Sequence, residues 1–243
     1  MKLVNNQPSA VDFNIELVAE NALLLSWQPQ VSSAQHHNII TLQAELKDKL
    51  PELILESVAS YHCLMIYYPF QHIAAQTLIE HILAIASQQN DKGQAAPTAG
   101  TIRIPVYYDI EQQWDLNHVA TSCQLSTEQV IKLHSSTVYR SYALGFTPGF
   151  CYLASLPKAI VMPRKASPRI KVPKGAVAIA EQQTAIYPNE SPGGWHIIGQ
   201  TPLPMYHSVN GQFAATINVG QSVQFYRISK AQFITMQQEL QHG

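Results

Sequence analysis

Cysteine is scarce in this sequence: Cys63, Cys123 and Cys151 are the only three in 243 residues. They are odd in number, far apart and without C-x-x-C spacing, which excludes a disulfide framework and a cysteine zinc site. Each reads as a small buried apolar side chain. No apolar run is long enough for a membrane helix, which needs about eighteen residues or more. The opening "MKLVNNQPSAVDF" has neither the apolar stretch nor the cleavage site of a secretory leader. A cytoplasmic protein is the expectation.

Several catalytic signatures are missing as well. H-E-x-x-H does not occur, and the ten histidines are scattered, with His36 and His37 adjacent, so no metal site is expected. The phosphate-binding pattern G-x-x-x-x-G-K-[ST] and the serine elbow G-x-S-x-G are also absent, which removes two standard routes to nucleotide binding and acyl transfer.

The most informative absence is that of carboxylates from the middle of the chain. The net charge is only −1, yet residues 1–128 carry five basic and thirteen acidic side chains, and residues 129–243 carry ten and three. Between Gln129 and Ala180 there are eight Lys/Arg and no Asp/Glu. A solvated surface normally mixes signs. A one-signed stretch points to an anionic ligand, or to a basic face docked on the acidic half of the same chain.

What is present divides the chain in three. Residues 1–90 alternate strand-like and helical runs. "FNIELVAENALLLSW" reads as two strands about Glu20-Asn21. "SSAQHHNIITLQAELKDKL" has Ser32 and Gln35 at capping-box spacing and apolar residues Ile39, Leu42, Leu46 and Leu50. "LILESVASYHCLMIYY" reads as a second strand pair and "QHIAAQTLIEHILAIASQQ" as a second helix. The expectation is an α+β fold that starts with a ferredoxin-like α/β unit. Residues 91–100, rich in Gly, Pro and Ala, read as a linker.

From residue 101 to 243 the pattern is β-rich. Pro105 suggests that "TIRIPVYY" is an edge strand. Asp115 is positioned to cap one short helix, Ser126 with Gln129 a second, and Ser229 with Gln232 a last one. Nine of the fifteen prolines and six of the eleven glycines fall between Gly145 and Pro204. Short runs alternate with them: "AIVMP", "RIKVP", "AVAIA", "TAIYP" and "WHIIG", then "QFAATINV" and "SVQFYRIS". Many short strands between Gly/Pro turns indicate a sandwich or barrel.

Three segments in this half carry candidate chemistry. "GFTPGFCYLASLP" places Phe146, Phe150 and Tyr152 on a loop stiffened by Pro148, suited to a pocket wall or to a pinned structural loop. "PRKASPRIKVPKG" sets Arg164, Lys165, Arg169, Lys171 and Lys174 among three prolines. A guanidinium offers a planar fork for carboxylate or phosphate, and proline-stiffened backbone suits a small, positioned anion. Near neutral charge and the absence of a recognised motif argue against nucleic acid. In "TAIYPNESPGGWHIIGQTP", Thr184 and the preceding Gln183 offer hydrogen bonds. Tyr187 and Trp195 offer aromatic walls, and Gly193-Gly194 a main chain that a ligand can approach. His134, late in a short helix, reads either as a proton shuttle or as a cation stabilised at a helix end.

"STEQVIKLHSSTVY", "GFTPGFCYLASLP", "PRKASPRIKVPKGAVAIAEQQTAIYP" and "SPGGWHIIGQTP" together resemble the KipI / allophanate hydrolase subunit 1 family. The likeness is strong over about residues 101–228 and extends to the first unit in layout only. It implies a small N-terminal α+β domain followed by a cyclophilin-like β-barrel. It also implies activity within a complex. Members act with the A and C subunits of ATP-dependent bacterial 5-oxoprolinases, the C subunit being a second cyclophilin-like protein, and these enzymes open 5-oxoproline to glutamate. ATP is then expected in this chain or shared with a partner. Other relatives suggest two alternatives, a regulator that inhibits a sensor histidine kinase and a carboxyltransferase component of a biotin-dependent urea or amide carboxylase. The positions implied for the site are His134 as catalytic group and Arg164, Arg169, Gln183, Thr184, Tyr187, Gly193, Gly194 and Trp195 as substrate or anion contacts. The sequence departs from the family pattern at Cys151, where proline is usual, and at Glu181 and Ala185, where glycines are usual. Tyr108-Asp109 also replaces a usual glycine pair.

Overall fold

A computed structural model of the chain describes residues 11–88, 100–108 and 114–242. It divides into two compact units, one on each side of residue 97. The expected linker, 91–100, lies outside the described residues except for Gly100. Among the described residues, no helix is long and apolar enough to cross a membrane.

The first unit runs β1 (Asn14–Ala19), β2 (Ala22–Ser26), α1 (Ser33–Lys49), β3 (Glu56–Ala59), β4 (Cys63–Tyr67) and α2 (Ala75–Ser87). Its sheet has the order β1-β2-β4-β3 and is antiparallel throughout. Glu20 and Asn21 make the turn between β1 and β2, whose last pair is Ala19 with Ala22. Ser32 caps α1 by accepting from the Gln35 N–H at 3.3 Å. Ile39, Leu42 and Leu46 of α1, Leu78, Ile79 and Ile82 of α2, and Leu23, Leu25, Leu64 and Ile66 of the sheet are all buried. Each such side chain stabilises the unit by roughly 1.5–3 kcal/mol before entropy is counted. The order ββαββα is the one read from the sequence, but it does not confirm the ferredoxin-like label. A ferredoxin-like unit runs βαββαβ, whereas here two hairpins each precede a helix.

The second unit begins with β5 (Ile102–Val106), α3 (Leu116–Ser122), α4 (Thr127–Ser136), β6 (Val138–Leu144) and β7 (Cys151–Ala154). It continues with β8 (Arg169–Val172), β9 (Ala176–Ala180), β10 (Gln183–Ile186), β11 (Ser191–Gly193) and β12 (His196–Gln200). A hairpin of β13 (Tyr206–Val209) and β14 (Gln212–Ala215) follows, then β15 (Ser222–Arg227) and α5 (Lys230–His242). Seven strands form one sheet in the order β12-β9-β10-β7-β6-β15-β5. β5 lies parallel to β15, and the other neighbours are antiparallel. The two ends of this order meet. Tyr107 and Gln200 exchange main-chain hydrogen bonds of 2.9 and 3.0 Å, which almost closes the sheet into a barrel. Pro105 stands in the end strand, where a missing N–H costs least, and the closing bridge forms two residues beyond it.

Ala176, Val177, Ala178, Ile179 and Ala180 are all 0% exposed, so β9 is covered on both faces. Val177 and Ile179 join a core with Ile104, Leu153, Ile186, Ile198, Val223 and Phe225, which also takes in Val119, Val130 and Ile131 of α3 and α4. The alanines join a second layer with Phe150, Val172, Tyr187, Trp195 and Ile197. Small and large side chains alternate because aromatic rings lie against one face and the barrel core fills the other.

One expected strand takes another form, and one forms but joins a different sheet. "AIVMP" begins within a 3-10 turn (Lys158–Ile160) and makes a single bridge from Met162 to Glu181. "RIKVP" pairs with β11 in a separate two-stranded sheet.

Glu181, in the two-residue turn between β9 and β10, has φ +53°. That is left-handed backbone, which costs a side-chain-bearing residue about 1 kcal/mol. Glu181→Gly is therefore expected to raise stability by roughly 0.5–1 kcal/mol, since the exposed pair it gives up with Arg164 contributes about 0.5 kcal/mol or less. Urea unfolding checks this, and an unchanged or lowered midpoint counts against it.

Candidate active site

Asp115 organises the charged part of the second unit. It sits at the cap position of α3 but makes no side-chain cap there, contrary to the reading from sequence. Its carboxylate is 6% exposed and reaches three partners. Oδ1 accepts from Lys165 Nζ at 2.8 Å and from Arg169 at 2.9 Å. Oδ2 accepts from the Ile197 N–H at 2.9 Å, and the Asp115 N–H donates back to the Ile197 carbonyl at 2.8 Å. One buried carboxylate thus holds two cations from a segment that has no carboxylate of its own. The intrachain docking reading holds for Arg169 and Lys165. The residue that does it was missed because its partners are 50, 54 and 82 positions away. The one signal available was the one-signed stretch 129–180, which requires a counter-charge from elsewhere.

The loop before β8 is pinned to β12. The Lys165 N–H donates to the Gly194 carbonyl at 2.8 Å, and His196 Nε2–H donates to the Pro163 carbonyl at 2.8 Å. Burial pushes the His196 pKa down, partly offset by that carbonyl and by Asp115. The His196 ring stacks on His118 of α3, with centroids 5.5 Å apart. His118, Met162, Pro163, Arg164, Lys165, Ser167 and His196 line a cleft of about 320 Å³. Arg164 is 58% exposed in its side chain and pairs through Nε with Glu181 at 3.2 Å. A pair so exposed contributes little to stability.

Beside these charges lies an aromatic layer. Phe150 contacts Tyr152, Tyr187 and Trp195 edge-on at 4.9, 5.4 and 5.8 Å. Phe146 is 60% exposed, has φ +67° and rests edge-on against Phe150 and Tyr187. Burial raises the Tyr187 hydroxyl to about 12, with a main-chain hydrogen bond at Trp195 and the charge of Arg164 pulling the other way. Arg164 also lowers Tyr152 against the upward push of burial, which puts the guanidinium in electrostatic range of this wall.

The nine expected site residues fall into two groups. Arg164, Arg169, Tyr187, Gly193 and Trp195 belong to the layer just described. Gly193 pairs with Arg169 across β8 and β11. A Cβ at Gly193 would collide with the Tyr187 hydroxyl, so this glycine lets a ring approach. Gly194 lies over Pro168 and supplies the carbonyl for Lys165. Gln183 is half-buried at the start of β10, opposite Ala154 and Ala180.

His134 and Thr184 form the other group, in the barrel interior. The expected proton shuttle, His134, is 0% exposed, with Nδ1 2.7 Å from the Tyr108 hydroxyl and Nε2 2.9 Å from Thr184 Oγ1. Thr184 donates its own proton to the Ala178 carbonyl at 3.1 Å. Nε2 must then donate to Thr184, and Nδ1 accepts from Tyr108. The ring is neutral, and burial pushes its pKa down from 6.5 to about 3. Its position corrects the shuttle reading: it is a fixed connector inside the barrel, stacked on Phe225 at 4.6 Å.

Comparison with known proteins now identifies the type. Residues 13–215 match the family described as carboxyltransferase domain, subdomain C and D. The chain is 35% identical to the B subunit of 5-oxoprolinase from Escherichia coli O157:H7 over 209 residues, 86% of this chain and 93% of that protein. It is 29% identical to the B subunit of 5-oxoprolinase from Bacillus subtilis (strain 168), over 94% of this chain and 98% of the relative. The crystal structure of TTHA0988 superposes with a TM-score of 0.75 at 33% identity, covering 86% of this chain. This chain spans 40% of the length of TTHA0988. On these matches the chain belongs to the carboxyltransferase subdomain C and D family, and its near relatives are proteins named as the B subunit of 5-oxoprolinase.

Proposed function

We propose that this chain is the B subunit of an ATP-dependent 5-oxoprolinase, which opens 5-oxoproline to glutamate in a complex with the A and C subunits of that enzyme. The observation that carries this is 35% identity to the B subunit of a 5-oxoprolinase over nearly the whole of that protein. The geometry supports it. 5-Oxoproline is a small carboxylate on a flat lactam ring, and the second unit sets three cations, Arg164, Lys165 and Arg169, beside a rigid aromatic wall that includes Tyr187 and Trp195.

The lactam is a stable amide, and the free energy of ATP drives its opening. We assign the nucleotide to a partner protein of the complex. The main chain at 191–193 is engaged with β8 and the space beside Gly193 is taken by Tyr187, which makes Gly193 a poor phosphate cradle and supports that assignment. In this reading, the residues of this chain bind and orient the substrate. The cations take its carboxylate, Gln183 supplies an amide, and His134 with Thr184 holds the strands behind them in register.

Mixing the purified chain with its A and C partners is expected to give ATP hydrolysis that depends on 5-oxoproline and stops when this chain is left out. Hydrolysis that is absent from the complete mixture, or undiminished without this chain, overturns the assignment.

A further inference from the structure

The cleft of about 320 Å³ between the 163–167 loop and the His118–His196 pair is lined by two cations, Arg164 and Lys165, and by a histidine with one unpartnered ring nitrogen. Lys165 lines the cleft, is 20% exposed, and places one of its three N–H donors on Asp115, a carboxylate it shares with Arg169. Asp115 holds that ammonium in place, so a ligand meets a fixed donor rather than a mobile chain. Arg164 lines the same cleft and meets Glu181 through Nε, the inner edge of its fork of donors. His196 is 3% exposed. Its Nε2–H is committed to Pro163, while its Nδ1 is buried with no hydrogen-bond partner. A bare imidazole nitrogen accepts a hydrogen bond, and leaving it unpaired costs about 1–3 kcal/mol.

We infer that this cleft is a receptor for a small carboxylate that carries an N–H beside it, with the carboxylate on Lys165 and Arg164 and the N–H on His196 Nδ1. The inference rests on the 5-oxoprolinase reading only for the identity of the molecule. An α-carboxylate next to a lactam N–H is the pattern that 5-oxoproline presents. The anchoring role thus moves from Arg169, which does not line the cleft, to Lys165, which shares Asp115 with it and was named in the basic segment but not among the expected site residues.

The test is 5-oxoproline binding to the isolated full-length chain, followed by titration calorimetry. Lys165→Gln is expected to weaken binding about tenfold or more, and Lys165→Arg to stay within about threefold of the parent. The matching γ-lactone carboxylate, with a ring oxygen in place of the N–H, is expected to bind the unaltered chain about tenfold more weakly. Inorganic phosphate is expected to compete poorly. The inference is overturned if Lys165→Gln binds as the parent does, if lactone and lactam bind alike, if phosphate competes equally, or if the isolated chain binds no 5-oxoproline. Circular dichroism of each variant separates lost binding from lost folding, and the lactone comparison needs no variant. Binding that follows this pattern while the reconstituted mixture stays inactive retains the cleft and removes the enzyme reading. Activity with no binding to the isolated chain does the reverse.

Discussion

Asp115→Ala is expected to cost about 3–5 kcal/mol of stability, the usual range when one partner of a buried ion pair is deleted. Three losses combine. The Lys165 ammonium and the Arg169 guanidinium, both largely covered, lose the carboxylate they share and are left to repel each other. The Ile197 N–H, fully buried, loses its acceptor. Water recovers only part of this, because the two side chains are 20% and 23% exposed and stay packed in the 163–169 segment. Asp115→Asn separates the contributions. It keeps an acceptor for Ile197 but removes the charge, so an intermediate loss of about 1–3 kcal/mol is expected. Urea unfolding followed by tryptophan fluorescence measures both, with Trp114 and Trp195 packed in the same layer. A loss below about 1 kcal/mol for Asp115→Ala would mean that the clamp is incidental.

His134→Leu carries the second large effect, in size and in pH dependence. Leucine fills most of the ring's volume but leaves the Tyr108 hydroxyl without its acceptor in a fully buried site, at an expected cost of about 2–4 kcal/mol. The folded pKa, about 3, lies below the unfolded value of 6.5. The unfolded chain therefore takes up a proton that the folded chain refuses. The stabilisation is complete above pH 6.5 and is lost as the pH falls from there toward 3. Within that window the single site contributes a slope of about 1.4 kcal/mol per pH unit. Carboxylates add their own slopes, but these are common to parent and variant. The difference between the two stability–pH curves should therefore shrink as the solution is acidified from pH 6.5 to pH 4. Parallel curves would show that the ring is not neutral in the fold.

The legible parts of this protein were those set by neighbours in the chain. Ser126 and Gln129 form both halves of a capping box on α4, as their spacing predicts, and Ser229 and Gln232 do the same before α5. Glu20-Asn21 turns β1 into β2 where the apolar run breaks. Glycine is usual at position 181 in the resembled family, and the backbone there is left-handed although this chain carries Glu. The illegible parts depend on distant partners. Nothing local distinguishes Asp115 as a clamp from Asp115 as a helix cap, because the difference lies in Lys165, Arg169 and Ile197. His134 and Arg169 both read as polar groups of one site. The fold sends the first inward from α4 toward β10 and the second into the layer with Trp195, so sequence order alone could not separate them. "QFAATINV" shows the same limit: its strand, Gln212–Ala215, pairs with Tyr206–Val209 in a hairpin of its own and stays out of the barrel.

The rim of β12 bears on how the protein behaves in a crowded solution. Strand edges are adhesive, because unpaired amides invite a neighbouring molecule to extend the sheet. Here the amides and carbonyls of Ile197 and Gln200 are already engaged by Asp115 and Tyr107. The residue that steadies the cations is thus also a guard against sticking, and a chain deprived of it would be prone to self-association as well as to unfolding.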